Sequence, residues 1–330
     1  KSMHISGDYI PEDQTLDFGV TLNQMNLKIL NPFLSSFAYD ISGTSTGDVA
    51  IKGTLNKPVF NGSLYLEKSE MTIDYIKTKY FFSTPTKIEN NTIIFNNVNV
   101  LDNYGNFATT NGFVKFGPQK NISFNFDINT DNILALNTSG IDNETFYGTA
   151  FMSGFINVSG STGNVFIDIS GRTERNTKIN IPLQRTGTAD KSNFITFINN
   201  KTEEELIDDY NIDLTGFGLN FDLEVTPDAE ALLIFDSKIG DIIRARGEGN
   251  LKMEIDANNN FNMFGDYTIE EGEYLFTLQN VINKKFEIER GGTILWSGAP
   301  YNANIDIEAI YKLRTQLTNL FPEDSTEYYR

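Results

Sequence analysis

Few of the 330 residues have the types and spacing that catalysis or metal binding requires. The one histidine is His4, at the start of the chain, so Ser-His-Asp and Cys-His nucleophile sets are not expected and a multi-histidine metal site is excluded. There is no cysteine, which removes thiol nucleophiles, disulfides and cysteine-type zinc sites, and which suits a reducing cytosol and a periplasm equally. Carboxylates number 44, and a glycosidase would need two of them facing one another. Glu270, Glu271 and Glu273, however, fall at or beside polar positions of an alternating run, where a solvated sheet face accounts for them. Asp256-Ala-Asn258-Asn-Asn260 puts oxygen ligands at positions one, three and five of a calcium loop, but position six is Phe261 instead of Gly and position twelve is Tyr267 instead of Glu. A hairpin turn is expected there. Gly216-Phe-Gly218 and Gly247-Glu-Gly249 lack the third glycine and the helix of a dinucleotide loop. Asn-x-Ser/Thr triplets such as Asn121-Ile-Ser123 and Asn143-Glu-Thr145 arise by chance in so Asn-rich a chain. The chain reads as something other than an enzyme, with no cofactor and no metal.

What the residues do form is strands. Leu16, Phe18, Val20 and Leu22 share one face of a run, as do Ile122, Phe124, Phe126 and Ile128. Phe217, Leu219, Phe221, Leu223 and Val225 make the longest such series. Leu251, Met253 and Ile255 follow, then Tyr274, Phe276 and Leu278, then Ile305 and Ile307 with Ala309 and Tyr311. Val165-Ile167-Ile169 and Ile179-Ile181-Leu183 are shorter examples. Period-two alternation puts these side chains on one face and the intervening Asn, Asp, Lys and Ser on the other. The turns are too short for crossover helices, so the sheet is expected to be antiparallel. At roughly 12 residues per strand and turn, about 27 strands would span on the order of 130 Å. Helix signals are few. Asn31-Pro32 predicts an N-cap and one or two turns, 190–198 a second short helix, and the stretch from Leu313 a third.

Net charge is −18 with a pI near 4.5, which argues against nucleic acid and against electrostatic docking on anionic headgroups. A membrane contact would have to be hydrophobic or mediated by protein. The length exceeds what one core usually supports, so two domains or one elongated array are expected. The polar segment 199–211 divides 1–198 from 212–330. No run is long and apolar enough for a membrane helix and no signal peptide is visible; the opening at Lys1 and the stop at Arg330 read as a fragment of something longer. Internal similarity points to an array. Gly62–Ile73 sets beside Gly265–Phe276 without a gap at an offset of 265 − 62 = 203, and Thr92 matches Thr293 at 293 − 92 = 201. Gly7-Asp-Tyr9 echoes Gly265-Asp-Tyr267.

The pattern Gly265-x-Tyr267, Gly272-x-Tyr274, Phe286-x-Ile288, Gly292-Thr-Ile294, Trp296-Ser-Gly298-x-Pro300 and Ile305-x-Ile307-x-Ala309 resembles the C-terminal domain family of TamB. TamB is the inner-membrane-anchored subunit of the bacterial translocation and assembly module. Thr226–Asp236 and Gly247-Glu-Gly249-Asn-Leu251 continue the likeness, and Gly43–Leu55 with Pro58–Gly62 resembles the repeat shared with AsmA-like proteins. The usage of Asn, Phe and Lys resembles Bacteroidota-type members. The family's last strands and tail do not follow Arg330.

The resemblance implies an all-β fold: an elongated, folded-over antiparallel sheet with an apolar concave interior. The alternating residues named above would line that groove, with phospholipid inside it. It implies a periplasmic location, a membrane anchor in parts of the full protein not in this sequence, and a TamA-like outer-membrane assembly barrel as partner. The implied role is outer-membrane biogenesis, through phospholipid transport or through barrel assembly. Alternatives stay open: an assembly chaperone for barrel proteins and autotransporters that offers its sheet edge, a surface adhesin or glycan-binding β-solenoid, and an outer-membrane barrel.

Overall fold

The computed structural model describes residues 2–35, 37–117, 121–143, 146–182, 217–236, 241–255, 260–278 and 282–313. Nineteen strands among them belong to one sheet. The first nine form a meander: β1 (Ser2–Ile10), β2 (Thr15–Asn26), β3 (Ala38–Thr54), β4 (Lys57–Ile73), β5 (Thr78–Glu89), β6 (Thr92–Leu101), β7 (Phe107–Phe116), β8 (Ile122–Thr138) and β9 (Tyr147–Ser161). Next come β10 (Asn164–Thr173), β11 (Lys178–Pro182), β12 (Phe217–Val225), β13 (Glu230–Asp236), β14 (Asp241–Ile255) and β15 (Phe261–Leu278). The last are β16 (Ile282–Ile288), β17 (Thr293–Gly298), β18 (Asn304–Asp306) and β19 (Ala309–Ile310).

Several strands are broken in two. β10 and β11 both pair with β9, β12 and β13 both with β14, and β16 and β17 both with β15. β18 and β19 likewise lie beside β17 and β16. Nineteen strands thus occupy fifteen positions, spanning about 65–70 Å at the usual spacing. Among the described residues the strands are longer than the roughly 12 residues per strand and turn expected from sequence, running to 17 and 18 residues. The sheet is antiparallel except at one seam, where β10–β12 and β11–β13 pair in parallel. The long connection 183–216 leaves room for that crossover, which short turns do not.

The long strands bend. Between Leu22 and Met25 in β2, Leu66 and Ser69 in β4, Phe95 and Val98 in β6, and Thr130 and Ile133 in β8, one extra residue enters the ladder. Such a bulge kinks a strand and shifts which side chains face inward. Each contains a left-handed residue, at φ 51° for Gln24, 48° for Lys68, 51° for Asn97 and 53° for Asn132. Each of those four N–H groups donates to a side chain on the next strand: Thr46 Oγ1 (3.1 Å), Ser83 Oγ (2.9 Å), Asn111 Oδ1 (2.8 Å) and Ser153 Oγ (2.9 Å). The same staple therefore recurs on every second strand. β14–β15 shift register at Arg246/Gly247, and the strand breaks at 174–177, 226–229 and 289–292 continue the line of irregularities.

The internal repeat holds in part. Gly62 and Gly265 lie in 17- and 18-residue strands that both break register four to seven residues later. Thr92 and Thr293 are not equivalent, because β6 is separated from β4 by β5 whereas β17 pairs directly with β15.

The helix at Asn31–Leu34 exists, but Asn31 does not cap it. Its Oδ1 accepts from the Ile41 N–H at 3.0 Å, and Asn26 caps the preceding 3-10 turn Leu27–Leu30 instead. Leu27 and Leu34 pack on Ala38, Ile41 and Met71. The helices expected at 190–198 and from Leu313, the segment 199–211 and the turn at 256–259 lie outside the described residues.

Candidate functional site

Residues directly opposite each other on paired strands point the same way, so the register fixes which side chains share a face. From β1 to β4 one row reads Ile5, Val20, Val49 and Gly62. Met3–Leu22–Gly47–Leu64, Gly7–Phe18–Ile51–Phe60 and Tyr9–Leu16–Gly53–Pro58 flank it. Gly62 faces Ile88, which faces Ile93, which faces Val114. Val114 then pairs with Phe124, Gly112 with Phe126, Thr110 with Ile128 and Phe116 with Ile122. Across β9 and β10 the row continues as Phe126–Val158–Ile167 and Ile128–Ile156–Ile169. The parallel seam preserves it, with Ile167 opposite Leu219 and Ile169 opposite Phe221. Leu219 faces Ile255, Phe221 faces Met253 and Leu223 faces Leu251, while Val225 lies beside Gly249. Met263, Tyr267 and Ile294 extend the face to Ile305. Phe217 and Leu278 hold backbone positions in β12 and β15. Past the β15 bulge, Tyr274 stacks with Phe286 at 6.0 Å and lies 6.2 Å from Phe276. Ile307 packs against the buried cluster that contains Ile294 and Trp296. One apolar face thus runs unbroken across all fifteen positions.

The two halves of that face differ. In the C-terminal half it is filled by its own side chains. Val225, Leu233, Ile243, Leu251, Met263, Tyr267, Ile269, Ile288, Ile294 and Trp296 form a buried cluster, with Leu223, Met253, Tyr274 and Ile307 against it. In the N-terminal half, Leu16, Phe18, Val20, Leu22, Leu64 and Ile122 to Ile128 remain partly exposed, while Ile88 and Val98 on the same face are buried and Ala108, Ile133 and Met152 form a small core against Ile128. The rings of Phe146 and Phe261, from opposite ends of the strands, meet at 6.1 Å, as a folded-over sheet requires. The open half is a trough and the closed half its continuation.

Glycine opposite a large ring keeps the floor flat. A Cβ on Gly112 would lie 2.3 Å from Phe126 Cδ1. Gly265 sits opposite Trp296 at φ 116°, and a Cβ there would lie 2.0 Å from the Asn250 carbonyl oxygen. Trp296 is buried and its Nε1 donates to the Pro300 carbonyl at 3.1 Å, which holds the 3-10 turn at Pro300–Asn302. The spacing of Gly265, Trp296 and Pro300 is therefore a packing unit.

The opposite face carries the charge. Asn111, Asp127, Asn157, Asp168, Asn220, Glu254 and Asn262 stand side by side on seven successive positions, amide alternating with carboxylate. Asn157 Nδ2 donates to Asp127 Oδ1 and Asn220 Nδ2 to Asp168 Oδ1, both at 2.7 Å. Glu270, Glu271 and Glu273 also have partners. Glu270 pairs with Arg290 at 3.1 Å, Glu273 with Lys285 at 2.6 Å, and Glu271 lies opposite Arg246. Burial pushes the Glu230 carboxyl up, but Lys178, Arg244 and Arg246 outweigh it and hold the group below the usual carboxylate range. Among the described residues no three His, Asp or Glu side chains are grouped to hold a metal ion.

The sequence reading missed the bulges and the amide–carboxylate ladder. The bulges do leave a signal, since apolar parity switches from Leu64 and Leu66 to Met71 and Ile73 with a Lys between. The ladder leaves none within any one strand, because it exists only across strands.

No curated protein and no solved structure matches the chain. A family profile described as TamB C-terminal domain matches residues 96–328. The match starts within β6 and the same apolar face continues upstream of it to β1. No helix of the described residues is long and apolar enough to cross a membrane. Family membership carries a TamB-like function in outer-membrane assembly and points to the cell envelope. By the extent of that match, the chain belongs to the TamB C-terminal domain family.

Proposed function

We propose that the chain is a section of a periplasmic, lipid-conducting trough in a TamB-like protein. It moves phospholipid between the inner and outer membranes, with a TamA-like outer-membrane barrel as partner and without catalysis. The observation that supports this reading is the apolar face held in register across fifteen positions, much of it partly exposed over its first half. A two-chain phospholipid hides ~30 methylenes, so about 24 kcal/mol opposes drawing its tails through water. A continuous apolar wall removes most of that barrier. Its contacts are non-directional, so acyl chains can slide along it while the headgroup stays wet.

A photo-crosslinking residue at Val20, Phe126 or Phe221 should capture lipid in the native envelope, and one at the outward-facing Asp127 or Asp222 should not. Equal capture from the two faces, or none from the inner face, would sink the proposal. Mass spectrometry of lipid copurifying with the native chain identifies the cargo. A second reading, strand augmentation of nascent barrel proteins, draws on β1, which pairs only with β2 among the described residues and is exposed along its whole length. Crosslinks from β1 to barrel precursors, without lipid in the trough, would favour it.

A further inference from the structure

The polar face of the sheet carries phenylalanines among its amides and carboxylates. Phe166 is 53% exposed and Phe155 40%. Both fall on the outward parity of their strands, next to the inner-face Ile167 and Ile156. Single exposed apolar side chains are ordinary, and what sets these two apart is where they stand. Phe155 lies opposite Ser170, Asn157 opposite Asp168, and Phe166 opposite Ser159. The ladder step Asn157–Asp168–Asn220 therefore runs between the two rings, roughly 7 Å along the strands from each. The Phe166 ring leans over Gly218 on the next strand, where a Cβ would sit 2.9 Å from its Cδ1, and so turns a face to water.

Beside Phe155 the side chains leave a hollow of about 200 Å³, whose outward-facing lining is Phe155, Asp168, Ser170, Asn220, Asp222 and Lys252. Ser170 is its floor, the small residue between Phe155 on β9 and Asp222 on β12. The polar walls are held in place. Asn220 Nδ2 donates to Asp168 Oδ1 at 2.7 Å, and Lys252, opposite Asp222, pairs with Glu254 at 3.1 Å. The carboxylate of Asp222 and the outer oxygen of Asp168 are left as acceptors, with the Ser170 hydroxyl and the Asn220 amide as donors beside them.

A ring wall beside fixed acceptors and donors suits a ligand with one apolar face and a rim of hydroxyls. A pyranose has that form: its C–H face packs on an aromatic ring, and its hydroxyls, each donor and acceptor, meet carboxylates and amides. Other ligands fit less well. The hollow is smaller than the about 300–1,000 Å³ of drug-sized sites, so it takes one small ring. Asp168, Asp222 and Glu254 outnumber Lys252, which repels an anion. Charged groups separate the two phenylalanines, so they do not merge into the roughly 800 Å² per side of a protein interface. We propose that the hollow binds an uncharged hexopyranose of a glycan chain, with its C–H face on Phe155 and its hydroxyls on Asp168, Asn220 and Asp222. Phe166 carries the next part of the chain across the ladder. The site is on the outside of the sheet and does not depend on lipid moving through the trough.

The test is calorimetric titration of the 330-residue chain with chitotetraose and cellotetraose, two uncharged tetrasaccharides, with saturation-transfer NMR to find the sugar protons in contact. At least one should bind, with saturation strongest at ring C–H protons. Phe155→Thr keeps strand propensity and should weaken binding on the order of tenfold. Asp222→Asn should weaken it on the order of fivefold. Tyr65→Thr removes another exposed ring of the outward face, on β4, and should leave the affinity unchanged. All three positions are exposed, so unfolding midpoints should stay close to the native value. Binding of neither tetrasaccharide overturns the proposal. So does binding insensitive to both Phe155→Thr and Asp222→Asn, or weakened equally by Tyr65→Thr. Tighter binding of a sulfated tetrasaccharide overturns the assignment to an uncharged sugar. Self-association that Phe155→Thr dissolves, in a chain that binds no tetrasaccharide, overturns it in favour of a second copy. Lipid recovered from the trough would leave the outcome of this test unchanged.

Discussion

Leu64→Asp and Leu251→Asp make the same chemical change on the same face, and the structure assigns them different costs. Leu64 lies on β4 between Gly47 and Thr86, partly exposed in the open half. Leu251 lies on β14 between Leu223 and Gly265, 7% exposed within the filled half. At position 64 the loss is a share of one leucine's burial plus strand propensity, about 2 kcal/mol, and the new carboxylate stays hydrated. At position 251 the lost packing and an unpaired buried carboxylate together reach about 5 kcal/mol or more. Denaturant unfolding followed by circular dichroism should therefore separate the variants by about 3 kcal/mol, enough to leave Leu251→Asp largely unfolded. Leu64→Ala and Leu251→Ala should keep the order with smaller values. Equal penalties at the two positions would refute the division into an open trough and a filled one, and would make the whole inner face an ordinary core.

Asn157→Asp would place three carboxylates in a row between Asp127 and Asp168; at roughly 5 Å each contact is worth about 1 kcal/mol, so a loss of about 2–3 kcal/mol that shrinks in high salt is expected from unfolding titrations. Trp296→Phe leaves the Pro300 carbonyl without its donor and should cost about 1–3 kcal/mol, with Tm as the measurement. Burial pushes the Tyr80 hydroxyl, which donates to the Leu134 carbonyl at 2.8 Å, up to about 12. The unfolded chain loses that proton near pH 10 and the folded chain later, so stability falls between about pH 10 and 12, and Tyr80→Phe should remove about 2–3 kcal/mol of that fall.

Strands and their inner faces were legible because period-two alternation is a local property. Phe217 to Val225 needs no partner to be read as one face, and the register then aligned it with Ile169 and Met253. The parallel seam was not legible, since nothing in β10 or β12 encodes which neighbour the long connection delivers. Nor was the division between open and filled halves. Leu22 and Leu251 sit in equally regular runs, and only the packing of β13 to β17 separates their surroundings. Asn31 shows the limit of motif reading. Asn followed by Pro satisfies the rule for a helix start, yet its side chain is used ten residues away at Ile41.

An apolar trough in water should close on itself, so something has to hold the first half open. Gln24, Lys68, Asn97 and Asn132 supply a mechanism. A left-handed residue is strained in an L-amino acid, and here each strained N–H is held by a side chain of the adjacent strand. The bend is thus braced by local hydrogen bonds, alongside contacts across the interior such as the Tyr80 hydroxyl donating to the Leu134 carbonyl. Among the described residues no such staple follows β8, and the larger buried cluster of the inner face, with Leu251, Met263 and Trp296, lies beyond β8. Removing one acceptor, as in Ser83→Ala, should cost about 1 kcal/mol. If the staples set the opening, the same change should also raise protection of the inner-face amides of β4 and β5 from hydrogen exchange, because a released crease lets the walls meet. A destabilised chain without added protection would leave the staples as ordinary bonds, and the open half would then owe its width to what occupies it.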